Sequence, residues 1–142
     1  ASSLRADPGA LDLTRVPAAS LGEALVTACQ QACARPGSVA VIAADPQVPE
    51  LGGVLDRAGL AYGTPGTDAA LTLVPVTLAK GLEYDHVIVV EPARIASAEA
   101  RGLQRLYVAL TRAVSRLTVV HSEPLPEPLP AMAAPSAAQA SS

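Results

Sequence analysis

The chain has 142 residues, 50% of them hydrophobic but with three tyrosines and no Phe or Trp, and a formal net charge of −3. That length supports one independent core, and that charge gives no overall attraction to phosphate backbones or anionic membranes, so any nucleic-acid contact has to be local. With no apolar run near the ~20 residues of a membrane span and no signal-peptide pattern at its start, the chain reads as a cytoplasmic protein without a membrane role.

In chain order, residues 1–9 read as a flexible lead, 10–122 as one domain, and 123–142, rich in Pro, Ala and Ser, as a disordered tail. Ser20 to Glu23 has the capping-box pattern, and Leu21, Ala24, Leu25, Ala28, Ala32 and Cys33 recur at helical spacing until Pro36-Gly37. Cys29 and Cys33 therefore share a helix face and are expected to be buried thiols; His86 and His121 have no ligand-type spacing to them, so no metal site is expected. Ser38 to Ala44 reads as a strand covered on both faces. Asp45-Pro46 then suits the start of a helix reaching about Ala58, with Gly59 as its stop.

Leu71 to Thr77 and His86 to Val90 read as two more strands, the first edge-like because of Pro75. Ser97 to Ala113 reads as a long helix, with Arg101, Arg105 and Arg112 on one side and Leu103, Leu106, Tyr107 and Leu110 on the other. Leu117 to His121 closes the pattern as a strand. Apolar strands alternating with helices predict an α/β fold: a three-layer parallel sheet with helices on both faces and ligand loops at the strand C-terminal ends, Asp45 to Gln47 and Thr77 to Asp85 among them.

Two segments could carry chemistry. In Ala79 to Asp85, Gly81 permits an unusual backbone angle and is flanked by Lys80, the chain's one lysine, and Glu83. On spacing alone this is either an exposed turn with a local ion pair or a ligand loop. In Arg105 to Ala113 the arginine stripe is either a solvated face or a phosphate-facing one, with Arg112 the candidate because small residues flank it. No Walker A glycine pattern is present, so the chain cannot cradle nucleotide phosphates alone.

Together, "VTLAKGLEYDHVIVVEP" and "LYVALTRAVSRLTVVH" resemble motifs V and VI of the second RecA-like domain of UvrD/Rep-like superfamily 1 helicases, over roughly Ser38 to His121. The resemblance implies a split site for ATP with Mg²⁺, in which an N-terminal RecA-like domain supplies the Walker motifs and holds the metal. Gly81 and Glu83 match positions that face the nucleotide, Arg112 matches the γ-phosphate arginine and is the expected catalytic residue, and Lys80 matches a loop-positioning residue. Tyr84 stands where the family usually has Phe and Asp85 at a variable position, so both are expected to be structural.

Two positions depart from the pattern: Thr77 replaces a histidine associated with single-stranded nucleic acid, and Ala44-Asp45 replace a second arginine. Thr77 and Lys80 form the nucleic-acid or coupling loop by this resemblance. The wording of the motifs is similar to HelD-like ATPases of actinobacteria, which act on RNA polymerase. That implies a motor half that remodels or recycles the polymerase, or alternatively a domain that mainly docks on it, and an isolated chain without ATPase activity.

Overall fold

The computed structural model describes residues 11–67, 69–98 and 100–126. The strands are β1 (Leu11–Arg15), β2 (Val39–Ala43), β3 (Leu71–Pro75), β4 (Tyr84–Val90) and β5 (Ala113–His121). The helices are α1 (Leu21–Cys33), α2 (Val48–Arg57), α3 (Pro92–Ser97) and α4 (Gly102–Leu110). All pairings are parallel, in the order β1-β5-β4-β2-β3.

Alternation within the strands builds two cores. Val39, Val41 and Ala43 of β2 meet Leu25, Cys29, Leu51 and Leu55 of α1 and α2, whereas Ala40 and Ile42 meet Ile95, Leu106, Ala109 and Leu110 of α3 and α4. The central strand is therefore buried throughout, as its continuous apolar sequence requires. Steps toward the β3 edge use α1 and α2, and steps back use residues 76–83 and then α3 and α4. Crossovers of one hand demand this, since opposite directions must use opposite faces. The three-layer parallel α/β architecture is as expected, and β3, carrying Pro75, is an edge strand.

Several local expectations change. β1 falls in a segment given no strand in the sequence: only Leu11 and Leu13 face a core, and so short an alternation carries little signal. The long helix expected over 97–113 forms only as α4, since β5 already starts at Ala113, and a separate short helix, α3, occupies a stretch given no element and packs against α4. Gly102 makes that possible, because a Cβ there would overlap the Ala96 carbonyl. Small residues also turn the buried face: Gly102, Leu106, Ala109 and Leu110 pack inward, leaving Leu103 and Tyr107 more than half exposed.

Neither expected cap forms through its side chain, α1 being entered from a 3-10 turn at Ala18–Ser20 and the Asp45 carboxylate being engaged elsewhere. Cys29 is buried and its thiol is pushed up to about 12 by desolvation, with Cys33 adding to it; Cys33 itself, the last residue of α1, is exposed, against expectation. Residues 1–10 and 127–142 lie outside the described residues, as do most of the expected lead and tail. Glu123 and Leu125, placed in that tail by sequence, are tied to Arg94 and packed on the core.

The Gly37 turn is cinched to β4. Asp85 accepts from the Ser38 amide (2.8 Å) and hydroxyl (3.1 Å), and its own amide donates to that hydroxyl (3.1 Å). Gly37 has φ 112° and no room for a side chain beside Asp85. Asp85→Ala is expected to lower stability by about 1–3 kcal/mol in urea unfolding, since it strips partners from Ser38; an unchanged midpoint would show the clasp to be dispensable.

Candidate nucleotide-facing site

β3 and β4 run parallel with only residues 76–83 between them, so this segment must travel back along the sheet, a strand length of about 3.3 Å per residue. Its start and end consequently lie at opposite edges. At the strand C-terminal edge, Thr77 donates its hydroxyl (2.6 Å) and amide (3.2 Å) to the Asp45 carboxylate. The two positions that depart from the helicase pattern thus bind each other, and the clasp occupies both Thr77 donors.

The segment then turns. Val76 and Ala79 are buried, and Leu82 N–H closes a β-turn onto Ala79 C=O (3.1 Å). Gly81 has φ 83° with open space around it, so glycine serves the backbone angle here and leaves the surface bare. Lys80 and Glu83 on either side are exposed. They form no ion pair with each other, so the stretch folds as an exposed turn without the expected local pair.

Leu82 reaches Arg112. The Arg112 guanidinium donates from Nη1 to Leu82 C=O (3.3 Å), from Nε to Val108 C=O (3.0 Å) and from Nη2 to the Thr111 hydroxyl (3.2 Å). Tyr84 N–H bonds the Arg112 carbonyl (3.1 Å). The arginine is held half-buried at the C-terminal end of α4, where helix carbonyls favour a cation. Its fork keeps N–H groups on both terminal nitrogens for an anion.

The sequence-based placement of this loop at the strand C-terminal edge is therefore corrected. Thr77 is there, but Arg112, Leu82 and Tyr84 meet at the N-terminal edge, where Tyr84 pairs with Ala113. Gly81 and Glu83 flank that contact. Lys80 looks across a depression of about 210 Å³ at Arg101, Gln104 and Arg105, concentrating cations on a chain that is acidic overall. Among the described residues, no His, Cys, Asp and Glu side chains gather as a metal site.

Sequence reasoning missed Glu91. It is buried at the end of β4 with φ 48°, and accepts from the Ser122 amide (2.9 Å), the Ser122 hydroxyl and the Glu123 amide (3.2 Å), locking β4 to β5. Only a polar residue ending an apolar strand could have signalled it. Burial opposes its charge, but the Ser122 and Glu123 hydrogen bonds and nearby Arg94 outweigh that and hold its pKa below the usual carboxylate value. A depressed folded pKa stabilises the fold above the unfolded value of about 4.5, and that contribution is lost as pH falls through the folded value. Glu91→Gln is thus expected to be less stable at pH 7 and to lose less on acidification than the unsubstituted protein; parallel stability profiles below pH 5 would contradict this.

The fold and geometry define an α/β domain of RecA-like layering, and comparison with known proteins gives it a family likeness. Residues 70–120 match the family of the UvrD-like helicase C-terminal domain. The crystal structure of the C-terminal domain of a possible DNA helicase from Lactobacillus plantarum WCFS1 superposes with a TM-score of 0.66 at 25% identity, over 82% of this chain and 75% of that one. No curated protein matches the sequence. The matched segment contains Thr77, Lys80, Gly81, Glu83 and Arg112.

Proposed function

We propose that the chain is the second motor half of a UvrD-like ATP-driven helicase or translocase, completing an ATP site whose phosphate-binding loop lies on an N-terminal RecA-like domain. The observation that carries this is the Arg112 to Leu82 contact, which joins the two motif-bearing segments into one surface. Arg112 supplies positive charge to the γ-phosphoryl oxygens as charge shifts in the transition state, and its ties to Val108 and Thr111 preset its position. Gly81 lets the nucleotide approach the backbone and Glu83 accepts from a ribose hydroxyl. ATP enters with Mg²⁺, and the metal's ligands belong to the other domain.

The exposed Leu78, Leu103, Tyr107 and Val114 belong to the same segments, which supports a partner domain covering them. The finer reading, a HelD-like motor that remodels or recycles RNA polymerase, is supported by the Asp45–Thr77 clasp, which withdraws Thr77 from nucleic acid. Lys80, with Arg101 and Arg105, remains as the cationic part of the loop through which single-stranded nucleic acid could couple. Binding of a fluorescent ATP analogue should be weak for the chain alone and tighten when both domains are present. Glu83→Ala should then weaken it by about tenfold, the loss of one charge-assisted hydrogen bond, and unchanged affinity would remove Glu83 from the site.

A further inference from the structure

Both faces of a parallel sheet are ordinarily apolar and covered, and on the α1 side this sheet breaks that rule. Across β1, β5 and β4, Asp12, Thr14, Arg116, Thr118 and His86 replace the aliphatic row, while Leu11, Leu13, Leu117 and Val119 on the other face keep it. The polar row floors a cavity of about 370 Å³ walled by Thr27, Gln31 and Arg35 of α1 and its end. Arg35, His86 and Arg116 also line a neighbouring depression of about 110 Å³.

His86 anchors the floor. One ring nitrogen, Nε2, lies 2.8 Å from the Thr118 hydroxyl, while Nδ1 is buried with no partner among the described residues. An orphaned buried polar atom beside a roomy polar cavity calls for an occupant. Burial and then the fields of Arg116 and Arg35 hold the imidazole pKa below its ordinary value, against the opposing pull of Asp12. The cationic fields therefore converge on the cavity floor.

We propose that this cavity binds a small phosphate monoester that also carries hydroxyl groups. Arg35 and Arg116 present the planar donor forks that match phosphate oxygens, and Asp12 and Gln31 accept from the hydroxyls of the same molecule. The volume is that of a compact metabolite site. The site lies on the sheet face opposite α4 and is separate from the Arg112 surface.

Inorganic phosphate and ribose 5-phosphate, titrated into the protein with the His86 ring and the Arg116 and Thr118 amides followed by NMR, test this. Saturable shifts are expected with both, with tighter binding of ribose 5-phosphate. Arg35→Ala, at an exposed position where folding is not at stake, should weaken binding by about tenfold, whereas Arg57→Ala, at an exposed position that lines neither cavity, should leave it unchanged. The absence of saturable shifts at His86, equal affinity for the two probes, or indifference to Arg35→Ala would each overturn the proposal.

Discussion

Arg112→Ala, in a protein carrying this chain together with its phosphate-binding domain, is expected to lower ATP turnover on the order of 10³-fold, as loss of an arginine finger does. The loss should fall on kcat more than KM, because in the proposed role the guanidinium would act on charge that develops in the transition state. Arg112 also ties Leu82 to α4, so a second effect must be separated: removal of those bonds loosens the loop. Arg112→Lys makes the separation. It keeps the charge but loses the fork that holds two backbone carbonyls, and it should recover only a small part of the rate. Full activity in Arg112→Ala, with unfolding unchanged, would remove this residue from catalysis.

Gly102→Ala is expected to destabilise the fold by about 3 kcal/mol or more, at the upper end of overpacking costs. The added methyl would overlap the Ala96 carbonyl and crowd that of Ile95, and backbone on both sides leaves no flexible group to yield. α4 would be displaced, taking Leu106, Ala109 and Leu110 from the core and Arg112 from Leu82. Gly53→Ala is the control: inside α2 its methyl meets only the end of the Arg57 side chain, and alanine there should be neutral or stabilising by about 0.5–1 kcal/mol. Thermal or urea unfolding of the two variants checks this, and equal stabilities would mean that the α3–α4 contact yields freely.

Most of the sheet was legible because its strands are continuous apolar runs, and Pro75 marked the β3 edge without any need for tertiary information. The α3–α4 break was not. Periodicity from Ser97 to Ala113 is helical throughout, and what delays α4 to Gly102 is its close backbone approach to Ala96 of α3, which no side-chain pattern records. Caps failed for a related reason: Asp45 has the residue type for a cap, but Thr77, 32 positions away, takes its carboxylate.

At the candidate site, the meeting of the segments holding Gly81, Glu83 and Arg112 was implied by the motif resemblance, and its address on the sheet was not. General rules for open α/β sheets point to the strand C-terminal edge. A connection between two parallel strands must end at the N-terminal edge of the second, and with only residues 76–83 available the loop's second half, from Gly81 on, is carried to that edge. Glu91 and the His86 cavity were invisible because their partners come from strands distant in sequence.

The claim that this chain is one half of a split ATP site is tested most directly by reconstitution. Steady-state ATP hydrolysis would be measured for the chain alone, for its phosphate-binding domain alone, and for the two combined. Turnover should be absent from the chain alone, appear on combination, and fail to appear when the added chain carries Arg112→Ala. Hydrolysis by the chain alone, or equal turnover with the wild-type and Arg112→Ala chains, would contradict it.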